Sequence, residues 1–190
     1  IRRQRQMCIR DRYGRFAVTI KLNELNYLDT AKFYPDKTPY DKVAHYAVFG
    51  GSPFVNQALR PTATLRENIV STILNPVSAV YLYASQLLLS DYSVKINAER
   101  IFAVIGNGKK RYSEIEDKLD VKKTGNLAKQ MKPLRDLEII SRNYPINKLN
   151  DSKKSTFEIN DNLLRFYFTF IYKNASALQV LGAEAFYDEY

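Results

Sequence analysis

The sequence predicts a mainly α-helical chain into which one small α+β unit is set. Three observations predict it. Apolar residues recur at helical spacing between capping residues and prolines, alternation of period two is confined to short stretches at 16–22, 139–146 and 155–159, and Gly and Pro fall between these segments. A chain of 190 residues that is 45% hydrophobic and 13% aromatic carries enough apolar area to bury a core.

Composition narrows the chemistry. The longest nearly apolar stretches, 77–89 and 163–172, fall short of the roughly 20 residues that cross a bilayer, and no signal peptide with a small-residue cleavage site opens the chain. A cytoplasmic protein with no membrane partner is expected. The single cysteine, Cys8, has no disulfide partner, and His45 is the one histidine, so a tetrahedral zinc site on protein ligands is not expected. The formal charge is +9, unevenly placed. Residues 1–12, IRRQRQMCIRDR, hold five Arg against one Asp, lack any structural period and resemble a translated sequencing adapter, an artefact to set aside; the alternative is a basic nucleic-acid-binding arm. The remaining surplus lies between 99 and 158, where fourteen Lys or Arg face nine Asp or Glu. One module meeting a phosphate backbone has this pattern.

The elements follow in order. Residues 16–22 alternate like a strand that belongs to a sheet not otherwise present. Asn26, with Asp29 three residues on, opens a helix reaching about 33, and Pro39 opens another whose apolar side is Val43, Tyr46, Ala47 and Phe49. Gly50 and Gly51 stop it. Ser52 caps and Pro53 begins a third helix, Thr64 caps a fourth reaching about 74, and Asn75-Pro76 precedes a fifth ending near Leu89. A polar connector at 91–95 leads to a helix over 98–106 with Ile101, Phe102, Val104 and Ile105 available to a core.

The α+β unit comes next. Ser113 precedes Glu114 and Glu116 in a capped acidic first turn, with Ile115 and Leu119 at buried-face spacing. After a turn at 120–123, Thr124 caps a longer helix carrying Leu127, Met131 and Leu134, followed by Leu137. Pro133 is expected to kink that helix or end it early. A strand over 139–146 and a partner over 155–159 enclose a lysine-bearing tip at 147–154, so the unit reads as a winged helix-turn-helix. Such a fold offers its second helix to the major groove of duplex DNA and its wing to the backbone. The candidates are Lys122, Lys123, Thr124, Asn126, Lys129, Gln130 and Lys132, with Lys153 and Lys154 at the wing tip. Phosphate contact is expected before base reading. Docking of the module on protein is the alternative.

Five segments then coincide in order: YGRF at 13–16, FYPD at 33–36, YAVFGGSPF at 46–54, the winged region, and NDNLLRFYFTFIYKN at 160–174. Together they resemble the C-terminal half of the archaeal and bacterial ATPase family of AAA-like, STAND-type P-loop proteins, over about 13–190. The resemblance implies a last core strand at 13–22, a helical ATPase lid at 23–90, the winged helix at 91–160, and at 161–190 the truncated start of a C-terminal nuclease-like domain. It places the phosphate-binding loop and the Mg2+-holding acid in polypeptide ahead of Tyr13. The GxxxxGK[ST] pattern is absent from this sequence, so ATP and Mg2+ belong to the full-length parent, and the chain alone is expected to be inactive. The resemblance sets Gly50, Gly51 and Pro53 beside the adenine, and makes Arg15 a catalytic arginine directed at the terminal phosphate. A plain glycine cap followed by Pro at the first helical position explains the same turn without a ligand.

His45 is read as a partly buried helix residue, Arg165 as an anchor for its own segment, and Tyr81, Tyr83, Phe166, Phe168 and Phe170 as core. The rival reading is a free-standing winged-helix transcriptional regulator.

Overall fold

The computed structural model describes residues 23–83, 98–120, 126–147 and 151–190. The strand expected at 16–22, the later part of the fifth helix and the connector at 91–95 lie outside the described residues. What is described is mainly helical, with one small antiparallel sheet.

Residues 23–83 form a bundle of short helices. Helix α1, Tyr27–Thr30, is capped by the Asn26 side chain, which accepts from the Asp29 amide, and it runs on as a 3-10 turn, Ala31–Phe33. Helix α2, Pro39–Phe49, starts with Pro39 in its first turn behind a Thr38 cap. Its buried residues are His45 and Phe49, whereas Val43 and Ala47 are exposed, so the packed stripe differs from the one expected from apolar residues alone. The reason is that a histidine with both nitrogens bonded enters a core without loss. His45 Nδ1 lies 2.8 Å from the Asp41 carbonyl, and Asn68 Nδ2 lies 3.3 Å from Nε2.

Helix α3, Pro53–Ala58, is six residues long, and the side chain of Ser52 makes no capping bond. Helix α4, Leu65–Ser71, carries the expected Thr64 cap as a full capping box with Glu67. Two asparagines tie these helices to their loops. Tyr34 donates its hydroxyl to Asn56 Oδ1 at 2.6 Å, and Asn56 Nδ2 donates to the carbonyls of Gly50 and Ser52. Asn68, fully buried, accepts from the Arg60 amide and donates to the Arg60 carbonyl.

The α+β unit has a different interior. Helix α5, Ala98–Ile105, buries Ile101, Phe102 and Ile105. A two-residue strand β1, Lys110–Arg111, precedes α6, Tyr112–Leu119. The cap of α6 is at Arg111, whose amide donates to Glu114 Oε2 at 2.6 Å, so the cap lies two residues ahead of the expected Ser113. Helix α7, Asn126–Asp136, buries Leu127, Met131 and Leu134 and continues through Pro133. Pro133 lies so near the end that one hydrogen bond is lost, to the carbonyl of exposed Lys129, where water can replace it. Strand β2, Ile140–Asn143, pairs antiparallel with β3, Thr156–Ile159, and β3 pairs with β1, giving the order β1-β3-β2. Strand β2 stops short of the expected 146 because Pro145 cannot donate to a ladder.

The last segment closes the structure. Asp161 caps α8, Asn162–Phe166, which passes through a π turn, Tyr167–Ile171, and a 3-10 turn, Tyr172–Asn174, into α9, Ala175–Glu189. Residues 161–190 do not stand apart as a separate unit. Asn162 Nδ2 donates to the Tyr46 carbonyl of α2 at 2.8 Å, and Thr169 donates to the Gly106 carbonyl at 2.6 Å. Phe168, fully buried, stacks 5.3 Å from Phe102. At the far end Arg66 of α4 pairs with Glu184 and Asp188 of α9. One contiguous apolar core therefore runs from the bundle through residues 163–171 into the α+β unit. No described helix is long and apolar enough to cross a membrane.

Candidate nucleic-acid interface

Two places can be weighed as sites, the glycine turn and the basic face of the α+β unit. At the turn, Gly50 has φ +69°, a left-handed value suited to glycine, and its amide donates to the Tyr46 carbonyl as a helix cap. Gly51 faces its own chain. Its carbonyl accepts from the Leu25 amide at 3.0 Å, and a Cβ on Gly51 would lie 1.9 Å from the Leu25 carbonyl oxygen. That face of Gly51 is thus filled by the backbone of Leu25. Pro53 is exposed at the start of α3, as a first-turn proline requires.

Glu24 also reaches the turn: its Oε2 lies 3.4 Å from the Gly51 amide, and burial, reinforced by Asp161, pushes its carboxyl above the usual range. Burial likewise raises Asp161. The geometry of Gly50 and Pro53 is that of a helix cap and a first-turn proline, and that of Gly51 is close packing on Leu25.

The basic face is built by α7 and the β2-β3 hairpin. Lys129 and Lys132 are exposed on α7, and Lys132 Nζ pairs with Asp136 one turn on at 2.5 Å. Gln130, grouped with them by sequence, is only 6% exposed and points into the core, so as placed it cannot reach a duplex. Its register with Leu127 and Leu134 puts it on the packed side of α7. Lys153 and Lys154 are exposed on the hairpin tip, whose turn is fixed by Asp151: its carbonyl accepts from the Lys154 amide and its carboxylate from the Lys153 amide. Arg15, Lys122, Lys123 and Thr124 lie outside the described residues, as does the side chain of Asn126, which begins α7.

Sequence reasoning missed Arg142. It stands on β2, with Nε donating to Ser155 Oγ at 2.8 Å and one Nη to the Ser152 carbonyl at 3.1 Å. The guanidinium also lies 5.0 Å from the Tyr144 ring centroid and 5.5 Å from that of Phe157. Ser155 is fully buried and donates onward to the Ser152 carbonyl, so the base of the β2-β3 hairpin is a network of side chains around one arginine. The available signal was a polar residue at a half-buried strand position.

Other expectations resolve simply. Arg165 donates to Asn162 Oδ1 at 2.6 Å, within its own segment, as an anchor would. Tyr81, Tyr83 and Phe166 pack partly buried against the core, while Phe170 is 40% exposed. Burial holds His45 below the usual imidazole value, which suits a neutral ring donating from Nδ1. Among the described residues no cluster of three or more His, Cys, Asp or Glu could hold a metal ion.

Comparison with known proteins adds one relative. Over 168 residues, 88% of the chain, the sequence is 25% identical to an uncharacterized protein of Methanocaldococcus jannaschii. The chain spans 37% of that protein's length. No family model and no solved structure matches.

Proposed function

We propose that residues 98–159 are a winged helix-turn-helix that binds duplex DNA mainly through phosphate contacts, within a longer ATP-binding protein. The observation that carries this reading is connectivity. Helix, short strand, helix, helix and hairpin follow one another, with β1 returning beside β3, and five of the unit's exposed cations, Lys129, Lys132, Arg135, Lys153 and Lys154, sit on α7 and the hairpin that such a fold offers to DNA. The charge surplus between 99 and 158 supplies the attraction.

In this reading residues 23–83 serve as the lid of a nucleotide site whose phosphate-binding loop, Mg2+-holding acid and sensing elements come from other parts of the protein, with Arg15 reaching the terminal phosphate. Gly50, Gly51 and Pro53 shape the lid turn that lies by the adenine, with Gly51 packed on Leu25. The long stretch of the archaeal relative that this chain does not span leaves room for such a core.

Binding of the full chain to a short random-sequence duplex, followed over a salt series, tests the DNA reading. A protein that neutralises Z phosphates gives a log-log slope of about −0.9Z, so a slope of roughly −3 or steeper is expected. A slope near zero would favour docking of the winged module on protein.

A further inference from the structure

We propose that the cleft between α7 and the β2-β3 hairpin is a seat for one backbone phosphate of the duplex, anchored by Arg142 and completed by Arg135 and Lys132. The inference rests on the DNA reading above and assigns it a specific place.

The cleft has a volume of about 340 Å³, lined by Lys132 and Arg135 of α7, Arg142 of β2, and the rings of Tyr112 and Phe157. Small-ligand sites run from about 300 to 1,000 Å³, so this one suits a single nucleotide unit better than a larger ligand. Three cations line it and no carboxylate does; Asp136, which pairs with Lys132, is not among the lining residues. The two aromatic walls exclude water on one side, which strengthens attraction between a guanidinium and an anion.

Arg142 is prepared for this work. Of the five N–H donors of a guanidinium, two bond Ser155 and Ser152, and among the described residues no further acceptor is bonded to the other three. Those bonds, with the rings of Tyr144 and Phe157, fix the side chain before a ligand arrives, so little rotamer freedom is lost on binding. Arg135 is exposed at the last turn of α7. A duplex backbone lying between the α7 helix and the wing would pass this opening, whereas the tip lysines Lys153 and Lys154 reach a phosphate further along.

The test uses the full chain, a short random-sequence duplex and inorganic phosphate as a separate probe. Arg135→Gln touches no packed group and Arg142→Lys keeps the charge while losing the fork; Arg142→Gln removes both, with circular dichroism checking the fold. Each loss of charge should weaken duplex binding about tenfold and make the salt slope shallower by about one, while Arg142→Lys should keep the slope and lose affinity. If wild-type chain binds duplex with a steep slope and Arg135→Gln and Arg142→Lys leave affinity and slope unchanged, the seat is overturned and the DNA reading stands. If wild type shows no salt-dependent duplex binding, both fall. If inorganic phosphate binds in an Arg142-dependent way while duplex binding ignores Arg142, the seat takes a free anion and the assignment to DNA backbone is wrong.

Discussion

The bundle at 23–83 and the α+β unit at 98–159 bury different things. The bundle keeps Thr30, His45, Ser52, Asn56, Asn68 and Thr72 inside, and its helices, none longer than the eleven residues of α2, are joined by side chains that satisfy loop carbonyls and amides. In the α+β unit the interior is chiefly aliphatic and aromatic, with Gln130 and Ser155 as its buried polar side chains among the described residues. Short helices with long loops leave many backbone groups to satisfy, so asparagine is useful there. A sheet satisfies its own backbone, which frees the polar side chains of the α+β unit for the surface.

That contrast can be broken first at the seam. Phe168 packs on Phe102 from the segment that links the two interiors, and Phe168→Ala is expected to cost about 3–5 kcal/mol, the range for a fully buried aromatic. Chemical denaturation followed by separate probes in the two regions should then lose its single transition. Retention of one transition with the midpoint unmoved would mean that the regions are not joined through this ring.

Next in size is the bundle's dependence on buried amides. Asn68→Leu leaves the Arg60 amide and carbonyl and His45 Nε2 without their partner, at about 1–3 kcal/mol for each group that stays buried. The corresponding polar loss in the α+β unit is smaller, because Ser155→Ala removes one hydroxyl from a network in which Arg142 still bonds the Ser152 carbonyl. Urea midpoints of the two variants should differ in that order.

The pH response sharpens the same comparison. His45 has a lowered folded value, so its neutral form favours folding; that stability is present above pH 6.5 and is lost as pH falls below it through the folded value. Glu24 works in the opposite direction. Its raised value means that the protonated form suits the fold, so its contribution is full below 4.5 and is lost as pH rises through the folded value. Glu24→Gln should therefore raise the melting temperature at pH 7 and have little effect at pH 4, and a drop at pH 7 would contradict the burial argument.

What could be read along the chain was local chemistry. The Asn26 cap, the Thr64–Glu67 box, Pro39 at a helix start and the order of two helices followed by a hairpin rest on residues within a few positions of each other. Partnerships at long range were not legible. Nothing near His45 in sequence announces its contact with Asn68, and nothing near Asn162 announces its bond to the Tyr46 carbonyl, 116 positions away. Gln130 was chosen for its polar type, although its position three residues after Leu127 put it on the inner face of α7. Arg142 carries no periodic signal, because its role depends on a hairpin folding Ser152 and Ser155 back over it.

The smallest expected effect is at the wing tip. Lys153→Gln or Lys154→Gln should weaken duplex binding only a few-fold, since exposed lysines on a turn hold a phosphate as mobile point charges. The most direct measurement maps amide chemical shifts of the full chain on addition of a short duplex. Perturbations gathered on α7 and the hairpin at 140–159, with 23–83 nearly silent, are what this division of labour predicts; shifts centred on the bundle, or none anywhere at saturating duplex, would contradict it.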